Sequence, residues 1–287
     1  MTKIQLHFNP HFALKKEEIK RILDAATETE GLKDTLQNLM AKTGLGNAKV
    51  RKIQTWSVRA GLIKDNYLSP EGKIVLKHDP NLQSIITDWL MHFYLSFGNQ
   101  GLNKIPDNPA EWGNWTYFVY TFLPENPTFT KNILGHNVIS IFEEIDKEIP
   151  KSMKNPEKEI PERMKYILKA YTKQQALANC QFIKEIKADK YEAGHPNLPN
   201  AYLIGYFLAK LWQRDFGQET SVLTDDIVNQ KMGILPVLGI QPESLQQHLN
   251  AIEALGIIEQ RRTVAPYQII RRWNDPLTLL EKAYVNH

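Results

Sequence analysis

The chain has 287 residues, a formal net charge of +3 at pH 7 and a hydrophobic content of 42%. The length favours two domains over one, and the hydrophobic content excludes an intrinsically disordered protein. The nearly balanced charge excludes a histone-like polybasic protein. The single cysteine excludes an intrachain disulfide and a multi-cysteine zinc site.

The amino terminus lacks the apolar run of a signal peptide. The longest apolar stretch, Trp89 to Phe97, is far too short to cross a membrane. These features predict a soluble cytoplasmic protein that contacts no membrane. In that reducing compartment the lone Cys180 is expected to be a buried structural thiol.

Helical periodicity dominates the first part of the chain, where apolar residues recur at spacings of three and four. Helices are expected over 14–27, 32–42 and 47–60. Gly61 is a stop signal for the third helix, and Asp65-Asn66 predicts a tight turn between two short strands. Ser69 as a cap and Pro70 at the first helical position predict another helix start.

The middle of the chain is predicted to be helical and acidic. The expected helices cover 82–97, 110–122, 130–148 and 162–171. Between Asp79 and Glu148 there are nine acidic and three basic residues, a charge of −6. Most aromatic side chains of this segment are expected in the core, and the remaining surface suits a protein partner. The charged, proline-bounded stretch from Pro150 to Pro161 is the expected linker.

The C-terminal part repeats the pattern of the first. Helices are expected over 201–216, 224–232 and 242–255, followed by a β-hairpin over 256–273. Gly61-Leu-Ile after one helix recurs as Gly256-Ile-Ile after the other. Three helices, a glycine stop and a short hairpin are typical of a winged helix-turn-helix. The predicted fold is mainly α: two winged helix-turn-helix-like modules around a helical middle, with short β-hairpin wings.

This pattern divides the chain into four segments. An N-terminal winged-helix-like module is expected over 1–78 and an acidic, aromatic-rich helical middle over 79–150. A linker and helical connector follow over 151–198, and a C-terminal winged-helix-like module covers 199–287.

The helix over 47–60 is the strongest candidate for contact with DNA. At about 100° per residue its outer face is basic, and Lys42 to Lys64 contains six basic residues and no acidic one. Such a helix fits the major groove, where Arg and Asn reach base edges and Lys reaches phosphates. An ordinary solvated face is the alternative. The candidate contacts are Asn47, Lys49, Arg51, Lys52, Thr55 and Arg59.

The second module carries its positive charge on the hairpin instead. The outer face of its third helix is neutral to acidic and comprises Gln246, Gln247, Asn250 and Glu253. Pairing of the hairpin arginines across the strands would bring like charges together, which destabilises a hairpin unless an anion binds. We predict a phosphate-contacting wing, with plain surface as the alternative. Its residues are Arg261, Arg262, Arg271 and Arg272.

The residues alone predict no catalytic constellation, no metal site and no cofactor. Glu144 and Glu148 share a helix face and could bind Mg²⁺, with a solvated helix end as the alternative. Glu185-Ile186-Lys187 has the Glu-x-Lys form of many metal-dependent nucleases, but no acidic residue precedes it at a suitable spacing. The prediction from the residues is a protein that binds double-stranded DNA.

Several sequence blocks resemble a known bacterial family. They are Gly44 to Trp56 with Gly61-Leu62-Ile63, Leu68 to Gly72, Leu198 to Tyr202 with Leu211-Trp212, and Arg271 to Leu280. In this order they resemble domain-of-unknown-function family four thousand and seven, which includes SspB-type proteins of DNA phosphorothioation defence. Family members usually start with a Gly-His-Glu-Thr-Phe-like phrase, whereas this chain has Pro10-His11-Phe12 without an acidic residue.

The resemblance implies a DNA-binding component of a phosphorothioation-linked antiphage system. Its expected partners are double-stranded DNA, a cysteine desulfurase, an ATP pyrophosphatase and an ATPase. The resemblance also implies DNA nicking, with Mg²⁺ as the cofactor if that activity is present, and assigns no residue to it. A non-enzymatic DNA-binding adaptor and a winged-helix transcriptional regulator stay open as alternatives; a regulator would need dimerisation and a palindromic site.

Overall fold

Three mutually packed helices begin the part of the chain that the structure describes. The structure is a computed structural model and describes residues 12–98, 102, 105–145 and 154–286. The three helices are α1 (Lys16–Ala26), α2 (Leu36–Thr43) and α3 (Asn47–Arg59). Each contacts the other two, and their facing sides bury Ile22, Leu39 and Ile53 completely.

A very short hairpin follows the three helices. It consists of β1 (Ile63–Lys64) and β2 (Tyr67–Leu68). The turn residues Asp65 and Asn66 have φ of 52° and 70°, values that Asn and Asp tolerate better than most residues. The predicted helix start is also confirmed: the Gly72 N–H donates to Ser69 Oγ over 2.8 Å, and α4 (Pro70–His78) begins there.

The middle of the chain continues as helices joined to a small sheet. The helices are α5 (Ile85–Leu95), α6 (Asn114–Tyr117), α7 (Leu123–Glu125), α8 (Lys131–Ile145) and α9 (Pro156–Thr172). A π-helical turn, Phe118–Phe122, joins α6 to α7. The strands are β3 (Thr128–Thr130), β4 (Ile183–Lys187) and β5 (Lys190–Ala193), antiparallel in the order β3-β5-β4. The sequence pattern did not predict this sheet, because β3 is only three residues long and β4 is mostly charged.

The expected linker over 150–161 is partly wrong. Helix α9 begins at Pro156, where the Asn155 side chain accepts the N–H of Lys158 and proline at the first position loses no hydrogen bond. Pro161 lies inside the helix and is buried against α8, since a Cβ added to Gly135 would meet its ring at 2.4 Å. Residues 150–153 lie outside the described part.

The C-terminal part of the chain combines five helices with a second three-stranded sheet among its described residues. The helices are α10 (Ala201–Asp215), α11 (Thr224–Val228), α12 (Ile234–Leu238), α13 (Pro242–Ala254) and α14 (Pro276–Val285). The strands are β6 (Ser221–Leu223), β7 (Ile258–Arg261) and β8 (Gln268–Arg271), antiparallel in the order β6-β8-β7. The predicted hairpin is β7–β8; strand β6 and helices α12 and α14 were not predicted.

The chain divides into two units. The first unit is Met1–Gly101 with Pro106–Asn197, and the second unit is Leu102–Ile105 with Leu198–His287. The prediction of a mainly helical chain with short antiparallel strands is confirmed. Among the described residues, no helix has the length and apolar character needed to cross a membrane.

The core of the first unit is aromatic, as predicted. Tyr171 is its centre: its hydroxyl accepts the indole N–H of Trp115 over 2.8 Å and lies 2.6 Å from His92 Nδ1. The hydroxyl therefore joins the indole of Trp115 and the imidazole of His92 in one buried polar chain. Cys180 is fully buried, as predicted, and burial raises the pKa of its thiol.

Candidate nucleic-acid interface

Helix α3 is held in place by contacts on its inner side. Trp56 donates its indole N–H to the carbonyl of Phe12 over 3.0 Å. Its ring meets that of Trp115 edge to face, with centroids 5.6 Å apart. Lys49 Nζ lies 2.7 Å from Glu18 Oε1 on α1. These contacts fix the rotation of α3 about its axis, and with it the set of side chains on the outer side.

The outer side of α3 is basic. All six predicted contact residues on α3 are at least partly exposed, and Asn47 and Arg51 are the most open of them. The helix contains no acidic residue. Burial lowers the pKa of Arg59 to about 10, which leaves the guanidinium charged at neutral pH. The centre of this positive outer side is formed by Arg51 and Lys52.

The short hairpin extends this face. Gln54 Nε2 donates to Asn66 Oδ1 over 3.1 Å, which couples α3 to the β1–β2 turn. Lys64 is exposed on β1. Lys33 Nζ lies 5.2 Å from the ring centroid of Tyr67 on β2, within the range of a cation–π interaction. The sequence indicated both α3 and the hairpin, but not the bond that joins them.

The polar face of α13 contacts its own hairpin. Gln246 Nε2 donates to Asn250 Oδ1 and Gln260 Oε1 over 2.7 and 2.9 Å. The backbone N–H of Gln260 donates to Glu253 Oε1 over 2.6 Å. Three of the four residues on the predicted outer face of this helix are thus used to hold strand β7.

The expected crowding of hairpin arginines does not occur. Strand register places Arg271 opposite Ile258, and Arg261 opposite Gln268. Glu259 forms ion pairs with both Arg261 and Arg272, and these pairs lower the pKa of its carboxyl.

The other two arginines also have partners. Arg262 Nη2 lies 3.7 Å from Glu253 Oε2, and Arg271 Nη2 donates to the carbonyl of Gln218 over 3.2 Å. All four candidate residues of this wing therefore have a partner within the chain. Glu253 and Glu259 supply the compensating charge that the sequence argument assigned to an external anion.

The acidic middle is less acidic at its surface than its composition indicates. Asp79 accepts the N–H groups of Gln83 and Ser84. Asp88 is fully buried, where Lys16 Nζ lies 2.6 Å from Oδ1 and Asn179 donates to Oδ2 over 3.0 Å. Burial raises the pKa of Asp88 to about 6. These two carboxyl groups are buried and bound within the fold, so they are closed to a protein partner.

The described residues do not provide a magnesium site. Across 12–98, 102, 105–145 and 154–286, no group of three or more His, Cys, Asp and Glu side chains is placed to hold a metal ion. Glu148 of the predicted Glu144–Glu148 pair lies outside these ranges, as do Pro10 and His11.

The Glu-x-Lys motif does not form a nuclease-like pair. Glu185 pairs with Tyr191, and after a bulge Lys187 pairs with Lys190. Neighbouring residues of a strand point to opposite faces of the sheet, so the side chains of Lys190 and Tyr191 lie on opposite faces. Glu185 and Lys187 consequently lie on opposite faces of the sheet and cannot act on one substrate atom.

Comparison with known proteins identifies relatives of the whole chain. A family model described as a protein of unknown function (DUF4007) matches residues 8–284. A magnesium-ion-bound SspB crystal structure has a TM-score of 0.71 and 15% identity, covering 96% of this chain and 85% of that chain. A second SspB crystal structure gives 0.69 and 16% with the same coverage. No curated protein matches the chain. The two structures show that the fold is shared.

Proposed function

Because this chain belongs to the DUF4007 family, as its sequence blocks predicted and the match over residues 8–284 confirms, we propose that it is a DNA-binding component of a bacterial phosphorothioation-linked antiphage system. Its first partner is double-stranded DNA. Its protein partners are the cysteine desulfurase, ATP pyrophosphatase and ATPase of the same system. The shared fold with SspB supports this assignment.

The observation that carries DNA binding is the basic outer face of α3. The helix follows α2 after a three-residue turn, Gly44 to Gly46, and is coupled to a hairpin at its other end. This is the order of a winged helix-turn-helix, in which the third helix enters the major groove and the hairpin lies beside it. We assign base contacts to Asn47 and Arg51 and phosphate contacts to Lys52.

The second unit supports a second winged-helix-like module. Helix α10, strand β6, helices α11 to α13 and the β7–β8 hairpin follow in the order of that fold, with β8 between β6 and β7. We keep Arg261, Arg262, Arg271 and Arg272 as phosphate contacts of its wing. Phosphates must displace the carboxylates of Glu253 and Glu259 from these arginines, so this wing contributes less to DNA affinity than α3 does. The four-segment division, 1–78, 79–150, 151–198 and 199–287, is part of the proposal.

Duplex binding tests the proposal directly. Fluorescence anisotropy with a 20-bp duplex between 50 and 200 mM KCl gives the slope of log K against log salt. Arg51→Gln with Lys52→Gln should reduce the slope by about 1, because the phosphate contact of Lys52 is lost, and should weaken binding further because the base contact of Arg51 is lost. Lys169→Gln with Lys173→Gln, exposed lysines of α9 and the segment after it, is the matched control. An unchanged slope in the α3 variant overturns the assignment.

DNA nicking is a second candidate activity, favoured by the fold shared with a magnesium-ion-bound SspB structure. The described residues supply no group that fits the metal, so we derive no catalytic step. Relaxation of supercoiled plasmid by the purified chain in 5 mM MgCl₂, absent in EDTA, is the expected result for a nickase. Intact plasmid in every divalent metal tested leaves a non-enzymatic adaptor.

A further inference from the structure

The sheet β3-β5-β4 of the first unit has two unlike faces. One face is mostly apolar, with the exposed Glu185 opposite Tyr191: Phe129 and Ile183 are buried, and the rings of Phe129 and Tyr191 stack with centroids 5.7 Å apart. Alternate residues of each strand point to the other face of the sheet. The strand register aligns these residues across the three strands. This outer face comprises Thr128, Thr130, Lys184, Lys187, Lys190 and Glu192.

The outer face is open and positively charged. Lys184, Lys187 and Lys190 are all exposed, and the only carboxylate among the six residues is that of Glu192, which stands opposite Lys184 in the register. None of the three lysines forms an ion pair with any residue that the structure describes. The candidate wing of the second unit is the opposite case, because two glutamates form ion pairs with three of its four arginines.

The arrangement of the lysines is unfavourable for the fold alone. Lys187 and Lys190 are direct cross-strand partners, and like charges in such pairs destabilise a sheet. The bulge after Glu185 produces the pair, because in a regular ladder Ile186 would stand opposite Lys190. Bulges commonly re-aim a side chain for function. An anion bound between the two ammonium groups would relieve the repulsion.

We propose that this outer face is a second contact for the sugar–phosphate backbone of DNA, separate from α3. The inference rests on the proposed function for its partner. Lys184 and Lys187 are three residues apart, about 10 Å along the strand. That distance lets both lysines contact phosphates of one DNA strand, whose charges are spaced about 3.4 Å apart along the helix axis. Thr128 and Thr130 add hydroxyl donors of the kind that contact phosphate oxygens.

The salt dependence of duplex binding by the full chain tests the inference. Lys184→Gln, Lys187→Gln and Lys190→Gln together should reduce the slope of log K against log salt by about 2.7. Lys158→Gln, Lys169→Gln and Lys173→Gln, three exposed lysines of α9 and the segment after it, change the net charge equally and should leave the slope unchanged. Combining the sheet variant with Arg51→Gln and Lys52→Gln should give additive losses. Circular dichroism verifies that each variant is folded.

The outcomes separate this inference from the proposed function. If the α3 variant shows the expected reduction in the slope of log K against log salt while the sheet variant keeps the wild-type slope, only the inference is overturned. If the wild-type chain shows no salt-dependent duplex binding, both fail. Polyglutamate serves as the probe for an acidic polypeptide: if its binding depends on the three lysines while the DNA slope does not, the sheet face docks protein and the inference is overturned.

Discussion

Lys49 on α3 and Glu18 on α1 form an ion pair with a distance of 2.7 Å between Nζ and Oε1. Glu18 is buried, while Lys49 is only half-buried. The pair orients α3 on α1 and also neutralises one of the basic residues nearest the start of α3. The positive charge available to DNA in the unbound protein therefore lies further along the helix, at Arg51 and Lys52.

Removal of the Glu18 charge should strengthen DNA binding. In Glu18→Gln the amide still fills the site, but Lys49 is released to contact a phosphate. The slope of log K against log salt should become steeper by about 1, because one phosphate contact is gained. Anisotropy titrations with the 20-bp duplex measure it. Glu17→Gln, which removes the carboxylate paired with Arg21 on the same helix, is the control. Equal effects in both variants would contradict a specific role for Lys49.

A similar prediction concerns the wing of the second unit. Glu259 pairs with both Arg261 and Arg272, so Glu259→Gln frees two guanidinium groups. We expect the salt slope to become steeper by between about 1 and 2. The free energy of unfolding should change little, since exposed ion pairs contribute little to stability. Glu243→Gln, an exposed acidic position on α13, is the control. An unchanged slope in Glu259→Gln would place this wing outside the DNA interface.

The buried Asp88 should make stability depend on pH. Burial and the nearby Asp79 raise its pKa, Lys16 and Asn179 lower it, and the result is about 6 instead of 3.8. Between these values the folded state binds more protons than the unfolded state, so the contribution of Asp88 is present below pH 4 and is lost as the pH rises through 6. The loss is about 3 kcal/mol.

Urea denaturation at pH 4 and pH 7 measures this contribution. The difference in unfolding free energy between the wild type and Asp88→Asn should fall by that amount as the pH rises. A difference that stays constant over this range would contradict the raised pKa.

The two glycine stops give a matched pair of substitutions. Gly61 and Gly256 have φ of 75° and 68°, where alanine costs about 1 kcal/mol or more. A Cβ at Gly61 would stand 2.5 Å from the ring of Tyr94, whereas one at Gly256 meets nothing within 4 Å. Gly256→Ala should lose about 1 kcal/mol of unfolding free energy, and Gly61→Ala about 2 to 4 kcal/mol because overpacking adds to strain. Equal losses would show that Tyr94 moves aside freely.

Local features of the fold were predictable from the sequence because their causes are local. The turn at Asp65-Asn66, the cap at Ser69 and the helix from Asn47 each depend on residues within one or two turns of chain. The sheet β3-β5-β4 was missed for the opposite reason. Strand β3 comes from residues more than fifty positions before β4 and β5, and each strand is too short or too charged to show a strand pattern alone.

The charge pattern shows the same division. The sequence by itself determined that α3 has a basic outer arc, because a fixed angle per residue sorts the side chains of any helix. It also determined that two helix–glycine–hairpin phrases recur. Only the tertiary structure decided which charges are available. It paired Arg261 and Arg272 with Glu259 and Arg262 with Glu253, buried Asp88 beside Lys16, and through one bulge turned Lys187 towards Lys190. Ion pairs act over a few ångströms in space. Strand register and helix packing bring distant residues together, and they therefore decide which charges are neutralised.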